Sequence, residues 1–158
     1  MNDPKPNVGI LIAEDDDDDY LLTQKAFESA HPDIPLLRVR DGVELMDFLL
    51  GRGPSGAGAA KQAVILILLD LNMPRKDGRE ALREIKSHPG LKHLPVVVLT
   101  TSQDPEEVAA AYDRGANSFI RKPSGFAQLV KAVDALKTYW LDVVELPCPA
   151  SRRSERLP

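Results

Sequence analysis

Three carboxylates, a hydroxyl and an amine stand where short apolar runs of this chain stop. Glu14 and Asp15 follow Val8–Ala13, Asp70 follows Ala63–Leu69, Thr100 follows Pro95–Leu99, and Lys122 follows Ser118–Arg121. Acids crowded together repel, and each raises its neighbours' pKa unless a cation lies among them. A hard divalent ion such as Mg²⁺ answers that need, taking a few carboxylates plus waters and keeping positions open for a phosphoryl oxygen. A carboxylate held beside such an ion, a lysine and a hydroxyl can attack a phosphoryl donor. The cation, Lys122 and Thr100 would then take up charge on the transferred oxygens.

That chemistry requires the runs to end on one rim. Val8–Ala13, Ala63–Leu69 and Pro95–Leu99 are continuous apolar segments, the pattern of strands buried on both faces. Pro35–Val39 and Ser118–Arg121 predict two shorter strands. Helical patterns lie between them, over about 18–30, 42–50 and 78–86, with a further start at Asp104-Pro105-Glu106-Glu107: a cap, a proline at the first position and an acid in the first turn. A last helix is predicted from about Gly125 to Val144. Phe126, Leu129, Val130, Val133, Leu136, Trp140 and Val143 form its apolar stripe, and Pro147 and Pro149 stop it. Gly51–Gly58, with four glycines, predicts a flexible loop. The order is βα five times over, which implies an α/β fold with a doubly wound, five-stranded parallel sheet. Ligands of such sheets bind beyond the carboxyl ends of the strands, where the five polar residues fall. The domain is expected over 8–146, with a short polar tail at 1–7 and a disordered tail at 147–158.

Composition narrows the function classes. The chain has 158 residues, 43% hydrophobic and 28% charged, which suits one folded domain. Its net charge of −4 argues against broad binding to nucleic acid or an anionic membrane. No apolar run is long enough to span a bilayer and no signal-peptide pattern opens the chain, so a cytoplasmic protein is expected. The single cysteine, Cys148, permits no internal disulfide.

Four segments together carry a resemblance: Ile10-Leu11-Ile12-Ala13-Glu14-Asp15; Leu69-Asp70-Leu71-Asn72-Met73-Pro74 with Asp77-Gly78; Leu99-Thr100; and Lys122-Pro123. In this order, each at a predicted strand end, they resemble the signature segments of response-regulator receiver domains of two-component signalling. The resemblance implies a flavodoxin-like receiver fold with strand order 2-1-3-4-5. It implies that Asp70 is the phosphoacceptor, that Asp15 and Asp70 ligate Mg²⁺ (or Mn²⁺) directly, that Glu14 does so through water, and that Asn72 gives a backbone carbonyl. Thr100 becomes the switch hydroxyl, Lys122 the phosphoryl-pairing lysine and Phe119 the switch aromatic. A cis bond at Lys122-Pro123 is also implied. The acids after the first strand, Leu99-Thr100-Thr101-Ser102, Tyr139-Trp140-Leu141 and the long loop before the third strand are similar to small regulators paired with bacterial phytochrome kinases. The implied partners are a histidine kinase, of bacteriophytochrome type, and a second copy in a homodimer built on the fourth helix, fifth strand and fifth helix.

Other readings of the same residues stand beside this one. Asp16–Asp19 read as a solvated helix terminus. Thr100 and Lys122 singly would be an ordinary strand residue and a surface lysine. Phe119, Tyr139 and Trp140 also fit plain packing, and His31, His88 and His93 lack metal-ligand spacing and read as surface residues. An aspartate-nucleophile phosphohydrolase would need an acid two residues after Asp70, where Asn72 cannot protonate a leaving group. An adaptor that is never phosphorylated is the alternative, although such domains usually lose one of these positions. The expectation is a phosphoacceptor switch rather than an enzyme. Thr101, where many receivers have Ala or Gly, is expected to narrow the approach to the phosphoryl group. A DNA-binding output is not supported, since the residues after the last helix are too few for a helix-turn-helix.

Overall fold

The computed structural model describes residues 8–56 and 63–147. The expected tail at 1–7, residues 57–62 of the glycine-rich loop and the tail from Cys148 onward lie outside the described residues. Five strands, β1 (Val8–Ala13), β2 (Leu36–Val39), β3 (Ala63–Leu69), β4 (Val96–Thr100) and β5 (Ser118–Arg121), alternate with five main helices. These are α1 (Asp17–Ala30), α2 (Gly42–Leu50), α3 (Gly78–Ser87), α4 (Pro105–Asp113) and α5 (Phe126–Lys137). The sheet order is β2-β1-β3-β4-β5 and every neighbouring pair is parallel, as expected of the receiver fold.

Alternation along each strand explains the unbroken apolar runs. Leu11, Ala13, Ile67, Leu69, Val96 and Val98 face one half of the core, with Leu45 and Met46 of α2 and Leu82 and Ile85 of α3. Ile10, Ile12, Leu66, Leu68 and Val97 face the other half, with Ala26 and Phe27 of α1 and Leu129, Val133 and Leu136 of α5. A strand covered on both sides has no polar face to show. Four helices start on an aspartate: Asp16, Asp41, Asp77 and Asp104 each accept a first-turn backbone N–H.

The C-terminal helix departs from expectation. The α-helical register ends at Lys137, and Thr138–Val143 form a π-helical turn. Trp140 keeps its place against the α1–α5 half of the core. The wider turn brings Val143 out to solvent, and Phe126, at the first helical position and before the core-facing residues begin, is exposed too. Gly53–Gly56, expected as loop, make a short helical turn. Among the described residues, no helix is long and apolar enough to cross a membrane.

Candidate functional site

The carboxyl ends of β1, β3, β4 and β5 form one corner. β1 hands directly to Glu14, whose N–H donates to the Val39 carbonyl at 3.0 Å, and Asp70 donates its own N–H to the Ala13 carbonyl at 3.1 Å. These bonds extend the sheet's ladder by one residue and fix both acids on the central strands. Carboxylate oxygens of Glu14, Asp15 and Asp70 lie within 4.8 Å of one another. Glu14 and Asp70 are buried, whereas Asp15 faces solvent. Among the described residues, this is the one grouping of three or more acidic, histidine or cysteine side chains close enough to hold a metal ion.

Lys122 enters from β5. Its N–H donates to the Thr100 carbonyl at 2.8 Å. Its Nζ donates to Glu14 Oε1 at 2.8 Å and lies 3.4 Å from Asp19 Oδ2 and 3.8 Å from Asp70 Oδ2. Asp70 Oδ1 accepts the Asn72 N–H at 3.3 Å. Thr100, at the end of β4, is fully buried, and its Oγ1 has no hydrogen-bond partner; neither does the buried Glu14 Oε2. Buried polar atoms are seldom left so. The Glu14 orphan lies in a corner rich in negative charge, where oxygen donors suit a hard divalent cation, and Thr100 ends the strand whose carbonyl holds Lys122 there. The donor set therefore fits Mg²⁺ or Mn²⁺.

The electrostatics agree. Burial, then the neighbouring Asp70 carboxyl, push the Glu14 acid up to about 9, against the lowering effect of Lys122. Burial alone would lower the Lys122 ammonium, but its bond to Glu14 and the charges of Asp70, Glu14 and Asp19 hold it above its ordinary value. A proton on Glu14 and the Lys122 ammonium thus offset the clustered negative charge of the corner.

The corner unites Glu14, Asp15, Asp70, Thr100 and Lys122. Asn72 joins it through its backbone N–H to Asp70. Phe119 does not; it sits mid-β5, partly buried against the α2–α3 half of the core, and its N–H donates to the Tyr112 hydroxyl at 3.2 Å. Three expectations need correction. The Lys122-Pro123 bond is trans, since no cis peptide occurs among the described residues. Trans is the ordinary preference of an X–Pro amide, and Lys122 already reaches Glu14 with it. Asp19 is not merely a solvated helix end, because it contacts Lys122. Asp17 is an exposed helix start as expected, and it pairs with Arg38 and Arg40. His31 is not a bare surface residue: its Nε2 lies 2.7 Å from Asp134 Oδ1 and joins the end of α1 to α5. Thr101 is exposed, unlike its buried neighbour Thr100.

Comparison with known proteins follows the geometry. The response regulator receiver domain profile matches residues 10–134, from within β1 to within α5. Response regulator Rcp1 of Synechocystis sp. (strain PCC 6803) is 40% identical over 146 residues, 92% of this chain and 97% of that protein. The crystal structure of its Mn²⁺-bound form superposes with a TM-score of 0.78 at 41% identity, covering 90% of this chain and all of that one. The phosphorylated cyanobacterial phytochrome response regulator RcpA gives a TM-score of 0.80 at 39% identity, covering 89% of this chain and 98% of that one. Since the matched span encloses the whole acidic corner and the lysine that answers it, the chain belongs to the response-regulator receiver domain family.

Proposed function

We propose that this receiver takes a phosphoryl group from a histidine kinase on Asp70 in a Mg²⁺-dependent reaction and signals through contacts with other protein chains. One observation carries the reading: the Asp70 carboxylate sits between two further acids, the Lys122 ammonium at 3.8 Å and the strand that ends in the unpartnered Thr100 hydroxyl. Asp15, Asp70, the Asn72 carbonyl and, through water, Glu14 would hold the cation, whose part is to neutralise charge on the transferred oxygens. Asp70 supplies the attacking oxygen, and the phosphorus–nitrogen bond of the donor phosphohistidine breaks as its imidazole recovers a proton. Lys122 would exchange Glu14 for a phosphoryl oxygen, and Thr100 would gain the partner its hydroxyl lacks. Phe119 can follow the space that Thr100 leaves, giving a two-state element that reaches the surface.

The named relatives support a phytochrome-type histidine kinase as donor, a cytoplasmic setting and a single receiver over 8–146 as the working unit. A homodimer through α4, β5 and α5 is the expected output surface. The experiment is labelling with acetyl phosphate, or beryllofluoride adduct formation, with and without Mg²⁺. Asp70→Asn is expected to abolish both, and chelation of Mg²⁺ to do the same to the parent. Labelling of Asp70→Asn at the parent rate would overturn the assignment.

A further inference from the structure

The turn that carries Glu14 and Asp15 is held from the neighbouring strand. Arg38 of β2 stands in register with Ile12 of β1, and its side chain is only 16% exposed. Nε donates to the Glu14 carbonyl at 3.1 Å and Nη2 to the Asp15 carbonyl at 3.4 Å. Nη1 lies 2.9 Å from Asp17 Oδ1. The Tyr20 ring of α1 covers the guanidinium at 4.5 Å, a stacking that a planar cation favours. One rigid fork thus grips three points of the turn: the carbonyls of Glu14 and Asp15 and the carboxylate of Asp17, the first residue of α1. It reaches the acids through their backbone and leaves their carboxylates free.

A cation placed beside a metal site for its charge alone would weaken metal binding by repulsion. The donors of Arg38 are aimed instead at the carbonyls whose direction sets where the Glu14 and Asp15 side chains start. We propose that Arg38 is a positioning residue for the divalent metal, a role that rests on the metal reading given above. A lysine cannot replace it, because a single ammonium on a flexible stem does not present a planar fork to three acceptors. Arg40 supplies an internal control. It reaches the same Asp17 oxygen at 2.8 Å, is 56% exposed and brings the same charge to the same place, and no bond joins it to either carbonyl.

The test is Mn²⁺ affinity, read from the electron paramagnetic resonance of the free ion, for the parent, Arg38→Lys, Arg38→Gln and Arg40→Gln. Circular dichroism confirms the fold of each, and Arg38→Lys, which keeps both stem and charge, is the variant least prone to misfold. Groups that orient metal ligands are worth roughly 10- to 100-fold in affinity, and a loss of roughly tenfold is expected in both Arg38 variants. Arg40→Gln is expected to bind as the parent does or slightly more tightly. Saturating Mn²⁺ is expected to return the acetyl phosphate labelling rate of the Arg38 variants to that of the parent, a recovery that a general loss of structure would not allow. Parent-like affinity in Arg38→Lys overturns the proposal, and tighter binding in Arg38→Gln shows that charge alone is felt. A parent that binds no Mn²⁺ overturns the metal reading itself, and this one with it.

Discussion

Glu14 carries the pH response of the site. Its acid is pushed up from an ordinary 4.5 to about 9, first by burial and then by Asp70. A carboxyl group whose folded value lies above its unfolded one keeps its proton in the folded state. Its contribution to stability is complete below 4.5 and is lost as pH rises towards 9. Lys122, raised in the fold, contributes below its ordinary value of 10.5 and does not cancel this loss. The metal-free protein is therefore expected to become less stable to urea across that window, and Asp70→Asn to flatten the slope. Mg²⁺ needs the ionised acid, so its binding should release protons and tighten with pH. Calorimetry in two buffers of different ionisation enthalpy measures that release; equal heats in both would refute it. Glu14, Asp15, Asp70, Thr100 and Lys122 were legible because each follows an apolar run, so that placing the strand also places the residue. Arg38 and Asp19 were not, because they act through partners 24 and 103 positions away, separations that no local pattern encodes.

At the level of elements, the start of α3 lies close against the end of β3 at Gly78. Asp77 caps the helix, and Gly78 donates its N–H to the Leu71 carbonyl at 2.9 Å. A Cβ at Gly78 would lie 2.2 Å from the Asp70 carbonyl oxygen and 2.8 Å from the Leu71 Cα, both backbone atoms. Gly78→Ala must therefore push α3 or Asp70 aside. Overpacking of this kind costs about 1–3 kcal/mol, which urea unfolding would measure, and labelling of Asp70 is expected to slow with it. Unchanged stability and labelling would mean that the helix moves freely. The start of α3 was readable from Asp77-Gly78, and the strands from their apolar runs. The end of α5 was not. Leu129, Val133, Leu136 and Trp140 stay in phase with an ordinary helix up to the point where the register widens, so the apolar period gives no warning of the π turn.

For the whole molecule, the exposed apolar side chains bear on self-association. Trp140 packs on the core and meets Tyr139 edge-on, with ring centroids 5.2 Å apart. Near that face the exposed apolar side chains are Tyr139 and Val143 of the π turn, Phe126 of α5 and Tyr112 of α4, while Leu21 and Leu22 of α1 are exposed as well. Large exposed aromatics are favoured interface anchors, so a symmetric dimer is expected to bury them. Sedimentation with and without beryllofluoride would show it, and Val143→Asp is expected to shift the equilibrium to monomer while leaving Asp70 labelling intact. A monomer in both states at high concentration would reject the dimer.

The bond between Lys122 and Glu14 spans 108 positions of sequence. Contacts so remote close late in folding, after the intervening strands have taken their places. A chain still on the ribosome and short of Lys122 has the acids but not the amine that answers them. Under the function proposed above, such a chain is expected to take no phosphoryl group. On that reading, phosphoryl acceptance begins only once β5 has joined the sheet and brought Lys122 to the acids.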